Sequence, residues 1–378
     1  MKNRNKVRCA AAVVAALVVA LPVSSATAVA AAGSGRSHQK EASVLRQDLD
    51  AVVAGGPTSA LVEVRDAGRT GRSVRATSGT AVAGTRKPVD PTGHFRAGSV
   101  TKTFVATTVL QLVDERRLAL DDTVDRWLPG LVPDGDRITV RELLNHTSGL
   151  YDVTDTLPLK PPTAFLPIRY RTWTTTELVH RATEQPAVFS PGTSYHYSST
   201  DYLVLGLLVE RVTRHSYADE ISRRILQPLD MRDTWLPGTN PRIPGSHAHH
   251  YIPDGAGGVV DITEMNPSVM NAAGELISSA ADLNTFTTAL LGGRLLPPRL
   301  LREMATPSDP SQTGLGLQTM ALTCGATAYG HDGDALGSST WTFATPGGRA
   351  VTLSVAWGTG RPAKAAVTAL LDDALCHA

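Results

Sequence analysis

The sequence predicts an α/β fold of the α+β kind: an antiparallel sheet flanked by helices, with a mainly helical domain inserted into it. Two observations support this. Strand-like segments lie near both ends, at residues 58–68 and 71–81 and again at 339–344 and 350–357, and helical patterns fill the region between them. Because strands from both ends must pair to bury their apolar faces, the middle of the chain is expected to fold as an insertion.

Local patterns justify each element in turn. Residues 58–68 alternate and carry β-branched side chains, which is typical of a strand. Residues 101–118 are mostly apolar without internal Gly or Pro, which predicts a helix. The sequence Thr-Pro-Gly-Gly-Arg at 345–349 predicts a hairpin turn, and residues 363–375 have the pattern of an amphipathic helix. These elements assign the sheet part to about residues 42–118 and 271–378, and the helical part to about 119–270.

The first thirty residues are typical of an export signal. Residues 1–8 carry four basic side chains, residues 9–21 are apolar, and small residues follow. The apolar run is too short for a comfortable membrane span, so a cleaved signal is favoured over an uncleaved anchor. Residues 31–41 are rich in Gly, Ser, Arg and Gln and are expected to form a flexible leader. We therefore expect a secreted protein, folded over residues 42–378, with no stable membrane insertion.

Composition excludes several partners and leaves two cysteines to explain. The net charge is +1 and aromatic residues make up 5%, so neither a basic patch nor an aromatic surface for nucleic acid is indicated. Cys9 lies in the predicted signal, which leaves Cys324 and Cys376. In an exported protein such a pair favours a disulfide over two free thiols. The histidines at 247–250 lack helical spacing, and a metal site is not expected there.

Ser99 and Lys102 are the first candidates for chemistry. Gly98 precedes Ser99 and the predicted helix follows, so the hydroxyl and the amine three residues apart share a helix face. The serine also meets the backbone N–H groups at the helix N-terminus. A lysine with a lowered pKa can take the serine proton and activate a nucleophile. The alternative is an N-cap serine beside a solvent-exposed lysine.

Tyr197 is the second candidate. It lies in the stretch Tyr-His-Tyr-Ser-Ser at residues 195–199. A tyrosine beside an ammonium group can have a lowered phenol pKa and act as a general base. The alternative is a tyrosine packed in the core.

The stretch Gly-His-Asp-Gly-Asp at residues 330–334 directly precedes the last two strands. Strand alternation places Asp332 and Asp334 on one face, with His331 and Gly333 on the other. The alternative is a turn with two solvated acids. Further upstream, the sequence Asn-His-Thr-Ser-Gly-Leu at 145–150 is interpreted as a structured loop.

Three of these segments overlap longer motifs, which occur in a fixed order with one further motif: Phe-Arg-Ala-Gly-Ser-Val-Thr-Lys-Thr-Phe at 95–104, Leu-Leu-Asn-His-Thr-Ser-Gly at 143–149, Phe-Ser-Pro-Gly-Thr-Ser-Tyr-His-Tyr-Ser at 189–198 and the new stretch Ala-Ala-Gly-Glu-Leu-Ile-Ser-Ser at 272–279. Together they resemble the penicillin-recognising serine hydrolases, foremost the secreted DD-carboxypeptidases of actinomycetes, then class C β-lactamases and related esterases. The resemblance covers the chain from about Leu45 to Cys376. Cys324 and Cys376 fall where those carboxypeptidases carry a disulfide.

The resemblance implies a chemistry. Ser99 attacks a carbonyl and becomes acylated, while Lys102 and Tyr197 exchange protons with it. The backbone N–H groups of Ser99 and Asp334 form the oxyanion hole. No metal or organic cofactor is implied. The implied partner is a small peptide, amide or ester, such as a peptidoglycan stem peptide, and we expect the protein to be a monomer.

The candidate substrate-binding residues are Ser199, His331, Asp332, Gly333 and Asp334, and three of them depart from the family pattern. Ser199 replaces the Asn of a Tyr-x-Asn motif and offers one hydroxyl instead of an amide. Asp332 and Asp334 replace two threonines that hold the substrate's terminal carboxylate. The assisting arginine is missing from Gln-Thr-Met at 318–320.

This altered corner predicts a changed specificity. Like charges 4 Å apart repel by about 4 kcal/mol at an effective dielectric of about 20. We therefore expect weak binding of substrates with a free terminal carboxylate, and a better fit for a neutral or cationic leaving group.

Three functions remain open at this point. The first is a carboxypeptidase acting on D-amino-acid peptides of the cell wall. The second is an esterase or D-amino-acid amidase, which the altered corner favours. The third is a wall-associated binding protein without activity, which the loss of the motif asparagine favours. The intact set of Ser99, Lys102 and Tyr197 favours an enzyme.

Overall fold

The computed structural model describes residues 26–66, 72–308 and 312–376 of the chain, which divides into two units, residues 1–40 and 41–378. Residues 31–41 lie within a helix rather than in the flexible leader predicted from their composition, because the alanines that precede and begin this stretch have high helix propensity. The basic and apolar parts of the expected export signal lie outside the described residues. Within the described ranges, no helix has the length and apolarity needed to cross a membrane.

The described α-helices are, in chain order, α1 (Ala26–Val53), α2 (Val100–Asp114), α3 (Val124–Trp127), α4 (Val140–Leu144), α5 (Thr175–Thr183), α6 (Ser199–Thr213), α7 (Tyr217–Ile221), α8 (Ala280–Leu291), α9 (Pro298–Ala305) and α10 (Lys364–Cys376). Short 3₁₀ segments occur at Val153–Thr156, Pro162–Ile168, Pro267–Val269 and Asn271–Ala273, and a π-helical turn continues α7 over Ser222–Leu226.

The described strands are, in chain order, β1 (Ser59–Arg65), β2 (Ser73–Gly79), β3 (Phe95–Arg96), β4 (Tyr251–Pro253), β5 (Val259–Asp261), β6 (Ile277–Ser278), β7 (Gln318–Ala321), β8 (Thr327–Ala335), β9 (Ser338–Ala344) and β10 (Ala350–Ala356). Among the described residues, six of them form one antiparallel sheet in the order β2-β1-β10-β9-β8-β7. The remaining four form two small pairs, β3 with β6 and β4 with β5.

The predicted fold class is confirmed, because strands from both ends of the chain pair in the middle of the sheet. β1 runs antiparallel to β10, from the pair Ser59 and Ala356 to the pair Arg65 and Ala350. The helix predicted over residues 101–118 ends earlier, at Asp114. It stops there because Arg116 adopts a left-handed φ of 58° and its N–H bonds back to the carbonyl of Val113.

Two hydrophobic cores lie on opposite faces of the sheet. One face is covered by α10 and by the part of α1 after residue 41, through side chains such as Leu49 and Leu371. The other face is covered by α8, and its core continues through α2 into the helical part. Phe104 of α2 stacks on Phe286 of α8 with ring centroids 3.7 Å apart. The sheet part and the helical part therefore share one core, and α2 lies between them.

A disulfide joins Cys324 to Cys376. It links the turn between β7 and β8 to the last described residue of α10. The two cysteines are 52 positions apart in the sequence. The pairing expected from the cysteine count is present in the structure.

Candidate active site

Ser99 lies at the first turn of α2, where its side chain makes no capping hydrogen bond. Its Oγ instead accepts a hydrogen bond from Lys102 Nζ at 3.2 Å. Lys102 is 0% exposed, and Nζ also donates to the carbonyl of Ala273 at 2.7 Å. Ser99 therefore occupies the N-cap position without capping the helix, and the alternative of a capping serine beside a solvent-exposed lysine is wrong.

Burial determines the protonation of Lys102. Desolvation lowers its pKa to about 8, although Asp152, Asp201 and Asp332 act in the opposite direction. Nζ lies 4.9 Å from the centroid of the Tyr197 ring. At neutral pH a useful fraction of this lysine is uncharged, which a general base requires.

Tyr197 directly precedes the N-cap of α6 and is half-buried. Burial raises the pKa of its phenol well above the usual range, and a hydrogen bond with Ser99 acts in the opposite direction. The pKa is therefore raised and not lowered as expected, because the loss of solvent outweighs the hydrogen bond with Ser99. Tyr197 therefore holds a proton beside Ser99 and can donate it.

β8 approaches Ser99 closely because Gly333 has no side chain. A Cβ at Gly333 would lie 2.1 Å from the carbonyl oxygen of Ala97 and 2.8 Å from the nitrogen of Ser99. On the opposite side of this contact Gly98 has a φ of +56°, and a Cβ there would lie 2.9 Å from the nitrogen of Asp334. The two glycines bring the Ser99 and Asp334 backbones together.

The direction of the Asp334 N–H follows from that of Asp332, which lies two residues earlier in β8. The N–H of Asp332 donates to Gln318 Oε1 on the β7 side at 3.2 Å. Alternate residues of a strand direct their N–H groups to the same edge. The pairing between β7 and β8 ends at Gly330, and β8 continues beyond it. The Asp334 N–H therefore faces an edge that β7 leaves open beside Ser99, as an oxyanion donor must.

Strand alternation at this position is confirmed by burial. The side chains of Asp332 and Asp334 are 52% and 49% exposed, whereas His331 is 1% exposed and Gly333 is buried. His331 lines neither the pocket beside Ser99 nor the groove beyond the two aspartates, and its Nδ1 bonds to the backbone carbonyl of Asp332. His331 therefore lies buried next to the site, whereas Asp332 and Asp334 form the exposed surface of the site.

A cation that the sequence reasoning missed lies at this corner. Arg361 Nη1 is 2.9 Å from Asp334 Oδ2, and its guanidinium lies 4.0 Å from the centroid of the Trp357 ring. Arg361 follows β10, which is separated from β8 only by β9. The expectation of an acidic corner without a cation is therefore corrected: one of the two aspartates has a partner from a distant part of the sequence.

A pocket of 290 Å³ opens beside Ser99. Ser199, Tyr197 and Asp152 lie in its wall, and Asp152 Oδ1 accepts the backbone N–H of Ser199 at 3.2 Å. Most of the remaining wall is apolar and includes Leu157, Leu159, Phe165, Val269, Met270 and Trp357. A second, more open groove of 580 Å³ lies beyond the two aspartates and is lined by Asp332, Asp334, Tyr195 and Arg361.

A serine hydroxyl held against a buried lysine and a protonated tyrosine is the arrangement of a serine hydrolase. The family model described as Beta-lactamase matches residues 59–375. The chain belongs to the β-lactamase family, and the resemblance read from its motifs is confirmed.

Two solved structures are similar over most of the chain. A D-stereospecific amidohydrolase from Streptomyces sp. is 36% identical with a TM-score of 0.79, covering 89% of this chain and 98% of that one. The D-amino acid amidase of Ochrobactrum anthropi SV3, complexed with D-phenylalanine, is 29% identical with a TM-score of 0.76, covering 87% and 96%.

Curated relatives match over shorter stretches. Esterase EstB of Burkholderia gladioli is 37% identical over 169 residues, which is 41% of each chain. This chain spans 35%, 41% and 54% of the length of three curated relatives that it matches.

Proposed function

We propose that this serine hydrolase cleaves amides and esters of D-amino acids with apolar side chains, through an acyl-enzyme at Ser99. The observation that carries the proposal is the division of the site into a mostly apolar pocket, whose wall includes the carboxylate of Asp152, and an acidic corner where the leaving group departs. Asp334 and Arg361 border both the pocket and the corner, and Arg96 also lies in the pocket wall. A substrate fits both halves of the site when its acyl part has an apolar side chain and a free α-ammonium group and its leaving group has no carboxylate.

Acylation follows from the geometry at Ser99. Neutral Lys102, whose Nζ lies 3.2 Å from Ser99 Oγ, takes the hydroxyl proton as Oγ attacks the carbonyl. The N–H groups of Ser99 and Asp334 stabilise the oxyanion. Tyr197 donates its phenol proton to the leaving amine or alkoxide and recovers one from Lys102. Water then attacks the ester carbonyl by the reverse path, which releases the acid and restores Ser99.

Asp152 supplies the charge that recognises the acyl part. Its Oδ1 accepts the N–H groups of Thr154 at 3.0 Å and Ser199 at 3.2 Å, which fixes the carboxylate in the pocket wall. An α-ammonium group of the substrate is its natural partner, and burial strengthens such a pair. The apolar wall holds the side chain, with each buried CH₂ contributing about 0.8 kcal/mol.

The leaving-group side favours groups without a negative charge. Asp332 and Asp334 face the groove, and Arg361 pairs with Asp334. A terminal carboxylate placed there meets the charge of Asp332 at short range. Ammonia, an alcohol or a cationic amine meets no such repulsion.

The relatives support this reading. Two similar structures are a D-stereospecific amidohydrolase and a D-amino acid amidase, and a curated relative is an esterase. A D-Ala-D-Ala carboxypeptidase acting on a peptidoglycan stem peptide is the second candidate. Arg361 favours it, since a guanidinium group can hold a carboxylate if it leaves Asp334.

Three substrates distinguish these activities: D-phenylalanine p-nitroanilide, its L enantiomer, and an acylated peptide ending in D-Ala-D-Ala. We expect turnover of the D-anilide, little turnover of the L-anilide, and weak release of D-Ala, all lost in Ser99→Ala. Intact-mass analysis with a slowly hydrolysed D-phenylalanyl ester checks for the adduct on Ser99. Preferred cleavage of the D-Ala-D-Ala peptide would reverse the assignment.

We also propose that the protein is exported. The disulfide between Cys324 and Cys376 supports this, because such bonds persist in oxidising compartments. N-terminal sequencing of the protein recovered from the medium tests it: a start at about residue 29 or 31 is expected, and retention of the unprocessed chain inside the cell would contradict it.

A further inference from the structure

A buried histidine–aspartate pair contacts Tyr197. His146 and Asp201 are both 0% exposed, and His146 Nδ1 lies 3.0 Å from Asp201 Oδ2. The His146 ring packs against the Tyr197 ring with centroids 4.4 Å apart. Asp201 Oδ1 accepts a hydrogen bond from Ser148 Oγ at 2.5 Å. Neither member of the pair lines the pocket beside Ser99.

His146 accepts hydrogen bonds from the backbone before and after Tyr197. Its carbonyl accepts the N–H of His196 at 3.0 Å, and its Nδ1 accepts the N–H of Ser198 at 3.2 Å. The N–H groups of the two residues that flank Tyr197 are thus bonded to one residue. His146 itself has a φ of 62°, a left-handed conformation that costs free energy for a side chain other than glycine. The surrounding contacts hold it there.

The Ser198 contact locates the protons of the pair. A ring nitrogen that accepts a hydrogen bond carries no hydrogen of its own, so the neutral ring of His146 carries its proton on Nε2, which is buried and has no hydrogen-bond partner among the described residues. The hydrogen between Nδ1 and Oδ2 then belongs to Asp201, and the single lone pair of Nδ1 is shared between that hydrogen and the N–H of Ser198. Burial acts in the same sense, raising the pKa of Asp201 well above its usual range and lowering the pKa of His146 well below its own.

We propose that His146 is a positioning residue: as the Nε2–H tautomer, paired with a protonated Asp201, it fixes Tyr197 against Ser99 and Lys102. The inference rests on the acyl-enzyme function proposed above. The tyrosine can donate its proton only if the phenol stays within hydrogen-bond reach of the reacting atoms, and the backbone clamp provides that constraint.

The neutral state of the pair matters for Lys102. An ionised Asp201 would raise the pKa of Lys102 and keep the lysine charged. A protonated Asp201 removes that effect while retaining the hydrogen bonds. The ionisable groups that face the pair are Lys102 of α2, Asp152 at the start of a 3₁₀ segment, Tyr195, His196 and Tyr197 before α6, Tyr202 in α6, and His331 of β8.

Two variants of His146 test the clamp on the D-phenylalanine anilide. His146→Asn keeps an acceptor near the Nδ1 position and tolerates a left-handed backbone, whereas His146→Leu supplies no acceptor. We expect kcat to fall about 100-fold in His146→Leu with KM nearly unchanged, and to recover at least about ten-fold in His146→Asn. The matched control is His250→Leu, which removes another buried histidine and is expected to keep kcat while losing stability.

Thermal unfolding shows whether each variant folds. A folded His146→Leu with wild-type kcat would overturn the inference. So would a folded His146→Asn that is no more active than His146→Leu.

A spectroscopic test decides the tautomer without any turnover. In protein labelled with ¹⁵N-histidine, the His146 ring should show a protonated Nε2 and an unprotonated Nδ1 from about pH 5 to about pH 9. An imidazolium or an Nδ1–H ring in that range would refute the inference even if the enzyme is active. Absence of any Ser99-dependent turnover would instead count against the proposed function, while the tautomer is still read from the spectrum.

The charge of Asp201 is tested by Asp201→Asn, a neutral side chain of the same shape. The midpoint of the acidic limb of kcat/KM should move by less than about 0.3 pH units. A downward shift of about one unit or more would mean that Asp201 is ionised in the native enzyme, contrary to the proposal.

Discussion

The serine side of the site is buried, and its cation Lys102 is removed from water, whereas the leaving-group side is exposed and carries Asp332, Asp334 and Arg361. On the first side, desolvation lowers the pKa of Lys102 and raises the pKa of Tyr197, and it thereby adjusts proton transfer. On the second side, water screens the charges, and they act on which molecules enter. Reactivity therefore depends mainly on the buried side and selectivity mainly on the exposed side, and Asp332 links them because its charge raises the pKa of Lys102.

The largest effect is expected for Lys102→Met. Without the base, kcat/KM for the D-anilide should fall about 10³-fold or more. The measurement is steady-state hydrolysis, with Lys87→Met, at an exposed position, as the matched control. Retention of most of the activity would show that another group takes the Ser99 proton.

The same substitution should stabilise the fold. Lowering the lysine pKa from its usual 10.5 to about 8 destabilises the folded state by about 3 kcal/mol while the group is charged in both states. That penalty applies below pH 8 and is relieved as the pH rises from about 8 to 10.5. Chemical unfolding near neutral pH should show Lys102→Met to be more stable, and a loss of stability would contradict the burial argument.

Gly333→Ala should come next. Its Cβ would collide with the Ala97 carbonyl and the Ser99 nitrogen, so β8 must move away and the oxyanion donors separate. We expect kcat to fall about 100-fold. Gly347→Ala, in the turn between β9 and β10, is the control because the nearest atom to its Cβ is 3.9 Å away. Equal losses in both variants would indicate a general effect on the sheet.

The pH dependence should report Lys102 alone. Because the neutral amine is the active form and its pKa is about 8, kcat/KM should rise about ten-fold per pH unit below that value and level off above it. A neutral ester substrate keeps the substrate's own charge constant during the titration. A flat profile between about pH 6 and pH 8 would assign the base to another group.

The smallest effect is expected on the exposed side. The double variant Asp332→Thr with Asp334→Thr removes two negative charges and releases Arg361 from its partner. Acylation by benzylpenicillin should then accelerate about ten-fold, a modest gain because both side chains are screened by solvent. Asp136→Thr, at an exposed position elsewhere, is the control. An unchanged rate would remove the charge argument for substrate choice.

Local patterns predicted much of this molecule. The pairing of Ser99 with Lys102 depends only on a three-residue spacing in a helix, and strand alternation correctly separated Asp332 from His331. β7 escaped prediction because its four residues carry little pattern. The successes and the failure have one cause: a periodic pattern identifies an element only when the element is long enough to repeat the pattern.

Features that depend on distant contacts could not be predicted. Arg361 reaches Asp334 only because β10 and β8 flank the same strand. The raised pKa of Tyr197 depends on how deeply the fold covers the phenol, and no local pattern encodes that depth. Asp152 likewise reaches the pocket through contacts with the start of α6.

The pairing of β1 with β10 has a consequence for how the chain acquires its structure. Register partners such as Ser59 and Ala356 are joined across almost the whole domain, so the pair of β1 with β10 cannot form until the late strands are available. Such long-range pairing is slow, because the loss of chain entropy precedes the gain from contacts. Until it is complete, the apolar strand β1 has only β2 beside it, and molecules stalled at that stage are the ones most prone to aggregate.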